Sequence, residues 1–255
     1  MPIDRNILKS SFKRENFPEW ICPSCKKGVL KENPETFHVY PTAKSTQDIE
    51  RYGFDPDWVE ENYCVVLTCN NKDCRENVVI SGKGGSEEEY YIDETEEPTT
   101  RDVEKFRPIY AIPPLNIFAI PFQTPKEVTN EIIASFNLFW ADQSASVNHV
   151  RRCLEEILTE RGIRKYSKKN GKRISLSLHD RIIEYGKTKK DTSDKLLALK
   201  WLGNAASHPE KFTLDDVIDA YEILELVLDN IYVKREQEIE RKVKIVNKTK
   251  KPIKR

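Results

Sequence analysis

The chain has 255 residues, 38% of them apolar and 33% charged, and its 42 basic and 42 acidic side chains cancel. That length suits two small domains, and that apolar content excludes a wholly disordered chain. With no net charge, only the local charge distribution can argue for nucleic acid. Residues 1–11 carry Asp4, Arg5 and Lys9 and lack an apolar core, and the longest apolar stretch, 109–122, is broken by Pro113, Pro114 and Pro121. The sequence therefore predicts no signal peptide, no membrane partner and a cytoplasmic protein. In that compartment clustered cysteines read as metal ligands before disulfides.

Residues 1–97 read as a zinc-ribbon domain. Short runs rich in β-branched and aromatic residues at 37–40, 63–68, 78–81 and 90–93 predict strands, punctuated by Asn70-Asn71, Gly82 and Gly84-Gly85. Asp55-Pro56 predicts a short capped helix within 43–62. Cys22 and Cys25 are separated by two residues, and Cys69 and Cys74 by four. Both spacings let two thiolates converge on one ion, so the four predict a zinc site. Four protein ligands leave no position for water, which makes the expected zinc structural. Cys64 reads as a buried small apolar residue and His38 as a half-exposed strand residue.

Residues 98–126 carry six prolines, which exclude a continuous helix, and interleaved Phe106, Tyr110, Leu115, Phe118 and Phe122, which exclude a floppy linker. They predict an extended strap packed on the helical domain. The period then becomes helical over 127–240. Helices are expected near 126–140, 143–161, 178–186 and 194–207, with a fifth beginning after Thr213. Ser177 with Asp180, and Thr213 with Asp216, have the spacing of capping boxes. A basic loop is expected at 161–173 and a basic, disordered tail at 241–255. The predicted fold class is α+β, a zinc β-ribbon followed by a bundle of four or five helices.

The run Trp201-Leu202-Gly203-Asn204-Ala205-Ala206-Ser207-His208 is the most distinctive in the chain. Asn204 and His208, four residues apart, share a helix face. Together with Phe139-Trp140-Ala141-Asp142, 150–155 and 178–182, this run resembles a bacterial family with an N-terminal zinc ribbon and a C-terminal domain of unknown function. The helical part resembles the HEPN superfamily, and the whole resemblance spans Cys22 to about residue 232. It implies either a metal-independent ribonuclease of a phage-defence or restriction locus, or an inactive relative that binds RNA or a defence-system partner protein. Members pair as homodimers with a composite site. Active members place an arginine, a polar residue and a histidine, the arginine stabilising phosphate charge and the histidine moving protons. By resemblance His208 takes the histidine position and Asn204 the polar one, while Gly203 stands where the arginine belongs. Arg151, Arg152, Arg181 and Lys200 are the candidate substitutes. The residues themselves equally allow a structural reading, with His208 capping a helix end and Asn204 satisfying a backbone group. The expectation is a non-catalytic, nucleic-acid- or partner-binding module. A ribonuclease using His208 and Asn204, and a structural adaptor docking on a larger enzyme, stand as alternatives.

Overall fold

The computed structural model describes residues 3–93, 97–169, 172–207, 212–233 and 235–252. It is α+β, with an N-terminal sheet and C-terminal helices, and it divides into two compact units. No helix among the described residues is long and apolar enough to cross a membrane.

The first unit comprises Asp4–Ile117 and Phe136–Asp142. It is larger than a ribbon: five antiparallel strands, β1 (Leu30–Glu32), β2 (His38–Pro41), β3 (Glu60–Cys69), β4 (Asn77–Ile92) and β5 (Pro98–Ile112). Both β1 and β2 pair with the same edge of β3, one beyond the other. A 3-10 turn, Pro34–Thr36, separates them. Thr36 bridges the gap: its Oγ1 accepts the Val66 N–H at 2.9 Å, which keeps that backbone donor satisfied. Helix α1 is Arg5–Lys9 and α2 is Ala43–Tyr52. The helix expected at Asp55-Pro56 is a 3-10 turn, Pro56–Trp58, capped by Asp55.

Strand β3 alternates by the period-two rule, burying Tyr63, Val65, Leu67 and Cys69 on one face. Tyr63 stacks on Phe37, and Phe12 and Phe106 complete an aromatic core with them. Gly82 is required here, because a Cβ would lie 2.0 Å from the Arg107 carbonyl oxygen and 2.6 Å from the Tyr63 ring. Trp140, from the Phe-Trp-x-Asp block, donates its Nε1–H to the Leu8 carbonyl at 3.1 Å and packs edge-on to Trp20.

The strap expected over 98–126 is corrected in its first half, since 98–112 is β5 and pairs with β4 along its length. Prolines are tolerated in a strand where no ladder N–H is needed. Pro98 opens the strand, and Pro108 sits at the register shift opposite Ser81 and Gly82. Leu115 then joins the sheet core, while Phe118 packs against Tyr221 of the helical unit to which it belongs.

The second unit holds α3 (Lys126–Leu138, up to Ser135), α4 (Gln143–Glu160), α5 (Leu178–Gly186), α6 (Lys190–Ala205), α7 (Leu214–Leu228) and α8 (Arg235–Thr249). That is one helix more than the periodicity predicts. Helix α8 covers most of the expected disordered tail, and a π-helical turn, Asp229–Val233, precedes it. Its Ile239, Val243 and Val246 recur at helical spacing amid the charges, which is the pattern a tally of basic residues overlooks. Both capping boxes form, at Ser177/Asp180 and Thr213/Asp216. The basic loop is a hairpin of β6 (Tyr166–Lys169) and β7 (Lys172–Ser175).

Helix α6 packs against α4, α5 and α7. At the centre lies a buried hydroxyl cluster. The Tyr221 hydroxyl is 2.8 Å from both Ser135 Oγ and Ser146 Oγ, and each serine donates to the other's carbonyl, at 2.7 and 3.1 Å. Burial holds the Tyr221 hydroxyl protonated far above its ordinary pKa. Tyr221→Phe removes this shared partner while keeping the ring. It should destabilise the helical unit by about 1–2 kcal/mol in a denaturant titration, as a lost buried hydrogen bond does.

Candidate metal centre and helical polar site

Two tight loops at one end of the sheet carry the cysteines. In the first, Cys22 N–H donates to the Gly28 carbonyl at 2.8 Å and Ile21 pairs with Val29, so the chain turns through Cys22 and Cys25 and runs into β1. In the second, β3 ends at Cys69 and the turn into β4 carries Cys74. Because Leu30 pairs with Cys69, the strand register itself lays the two loops side by side.

The loops are built alike. Lys26, just after Cys25, and Arg75, just after Cys74, both have left-handed backbones, with φ of 57° and 54°. Lys26 N–H returns to the Cys22 carbonyl and Arg75 N–H to the Asn71 carbonyl, each four residues back. Asn71 thus holds the place in the second turn that Cys22 holds in the first. Cys69 lies two residues earlier, on the strand end, which explains the longer spacing of the second cysteine pair.

The four sulfurs lie within 4.8 Å of one another and can hold a metal ion. Cys22 and Cys74 Sγ are 3.8 Å apart, and Cys25 and Cys69 Sγ 3.7 Å. A tetrahedral ion with metal–sulfur bonds of about 2.3 Å separates its ligand sulfurs by about 3.8 Å, so the cluster has the right size. Backbone N–H groups of Gly28 and Lys27 draw Cys25 down to about 6, whereas burial pushes Cys69 up to about 12. A cation at the centre of the cluster would favour the thiolate form of its ligands. Cys64 projects from the opposite face of β3 and is half-buried, while its register neighbour His38 is exposed. Neither joins the cluster.

In the helical unit, Arg151 of α4 donates from Nη1 to Asn204 Oδ1 of α6 at 3.0 Å. It runs beside Gly203, where a Cβ would meet Arg151 Cβ at 3.6 Å and Cδ at 3.8 Å. Arg151 has no carboxylate partner among the described residues. The other candidates are placed elsewhere. Arg152 pairs with Glu131 at 2.8 Å, and the same carboxylate takes His149 Nδ1 at 2.7 Å. Arg181 is buried, donating to the Glu155 carbonyl, Thr159 Oγ1 and the Ile163 carbonyl. Lys200 lies with its ammonium 3.5 Å from the Trp201 ring centroid. His208 lies outside the described residues.

The β6–β7 hairpin is a functional candidate that reading 161–173 as a loop did not resolve. Lys168 and Arg173 are cross-strand partners, and the Arg173 guanidinium sits 3.7 Å from the Tyr166 ring centroid. From Arg161 to Leu178 the sequence has no acid.

Two glycines separate the sites experimentally. At Gly28 a Cβ would fall 2.5 Å from Cys69 Sγ. Gly28→Ala should cost the sheet unit about 1–3 kcal/mol, as overpacking does. Gly203→Ala meets only ordinary contacts and should stabilise α6 by up to about 1 kcal/mol through helix propensity. Thermal melts of both variants check the contrast.

In comparisons with known proteins, no curated protein and no solved structure matches the chain. Two family models do. One, a domain of unknown function termed DUF8608, matches residues 10–111. A second domain of unknown function, DUF4145, matches residues 134–250. The chain is thus similar to one family of unknown function over its sheet and to another over its helices.

Proposed function

We propose that the chain is a nucleic-acid-binding module, a zinc-stapled sheet joined to a HEPN-like helical bundle, of the kind used in phage-defence or restriction loci. The observation that carries this reading is the β6–β7 hairpin. Lys168, Lys172 and Arg173 are exposed there with no acidic partner among the described residues, in a chain whose net charge is zero. A two-stranded ribbon presenting cations and a stacked Tyr–Arg pair suits a phosphate backbone, where charge neutralisation dominates affinity. Zinc fits the all-thiolate set, and its closed shell assigns it to folding rather than chemistry. Gly203 in place of the usual arginine supports a non-catalytic bundle.

One observation favours a ribonuclease as the second reading. Arg151 brings a guanidinium to Asn204 alongside Gly203, from a neighbouring helix. A guanidinium there can stabilise phosphorane charge if His208 supplies proton transfer.

Retention of tRNA by the metal-loaded protein should fall steeply with salt. Replacing Lys168, Lys172 and Arg173 by glutamine should reduce the slope of log affinity against log salt by about 2–3. An unchanged slope would sink the binding proposal. Cleavage leaving cyclic phosphate ends, lost in both His208→Ala and Arg151→Ala, would replace the non-catalytic reading with the second one. Elemental analysis should find about one zinc per chain, lost in Cys69→Ser. Chelation should expose the sheet unit to protease and leave the helical unit resistant.

A further inference from the structure

The least partnered surface in the helical unit is the face of α8. Its main packing is against the π-helical turn that precedes it. Ile239, Val243 and Val246 share one face at spacings of four and three and are 48%, 50% and 40% exposed. Leu226 of α7, 48% exposed, faces Ile239 and Val243 across an open groove of about 710 Å³. Three such side chains on one helix face, with Leu226 across the groove, are not the scattered exposure that needs no explanation.

The charges on α8 specify what can cover this face. Before Arg241 it carries Glu236, Glu238 and Glu240 with Arg235 as the one base, and from Arg241 to its end it carries Arg241, Lys242, Lys244 and Lys248 with no acid. Glu238, Glu240, Arg241, Lys242, Lys244 and Lys248 are all exposed, and none has an ion-pair partner among the described residues. Laid parallel on itself, the helix would set acid beside acid and base beside base. Laid antiparallel, it sets each acidic half against a basic half about the apolar centre. That arrangement has two-fold symmetry, so the same patch serves on both copies. We propose that α8 pairs antiparallel with α8 of a second copy of the chain, with Ile239, Val243 and Val246 as its seam and Leu226 at its margin. The heptad-like spacing of four and three suits such a seam. This proposal does not depend on nucleic-acid binding.

The charge gradient also complements the dipole of α8 itself, so the test must separate self-pairing from helix stabilisation. Sedimentation of the full chain should show a concentration-dependent dimer. Val243→Glu should weaken it at least tenfold while circular dichroism keeps the helix content. The double variant Glu238→Lys with Glu240→Lys makes α8 basic nearly throughout, and the triple variant Lys242→Glu, Lys244→Glu, Lys248→Glu makes it largely acidic. Each alone should sediment as a monomer, and an equimolar mixture should recover the dimer. A wild-type monomer at every concentration, a Val243→Glu dimer of undiminished affinity, charge variants that dimerise alone, or a mixture that stays monomeric would each overturn the proposal.

Discussion

The sheet unit depends on one pairing, that of β1 with the last residues of β3. It sets Leu30 opposite Cys69, and through that register the loop of Cys22 and Cys25 comes to lie against the turn that holds Cys74. A slip of one residue would turn Tyr63, Val65, Leu67 and Cys69 together to the opposite face. The buried face of β3 thus links the aromatic core at Tyr63 to the sulfur cluster at Cys69.

The helical unit has a different organising constraint. Its centre contains three hydroxyls whose donors and acceptors are shared among Ser135, Ser146 and Tyr221. Around them the apolar faces of α4, α6 and α7 close. Cationic side chains at the rim divide into three kinds. Arg181 is consumed in holding two backbone carbonyls and the Thr159 hydroxyl, Arg152 is neutralised by Glu131, and Arg151, among the described residues, hydrogen-bonds through its guanidinium to the neutral amide of Asn204. A guanidinium held by a neutral acceptor keeps its charge available to an anion, which separates Arg151 from the other two.

Much of this was legible in the sequence, and the failures have physical causes. The cysteine pairs announced themselves because metal geometry restricts ligand spacing, and the capping boxes because the side chain that stops one backbone bond makes another. The prolines of 98–112 misled, since Pro98 and Pro108 sit at the two kinds of strand position that need no N–H. The pairing of 166–169 with 172–175 was hidden in a run of lysines that drowned the strand alternation. The meeting of Arg151 and Asn204, on helices separated by 53 positions in the chain, has no local signature at all.

The interruption between β1 and β2 bears on how the sheet unit meets other chains. An unbroken edge strand offers a row of open amides and carbonyls on which a foreign strand can template. Here the outer edge on the β3 side is cut into two short pieces by the turn that Thr36 anchors. On the other side, Phe12 exchanges two backbone bonds with Phe106 and blocks the middle of β5. Over the part of the sheet that β3 reaches, both margins are therefore interrupted against strand-by-strand aggregation.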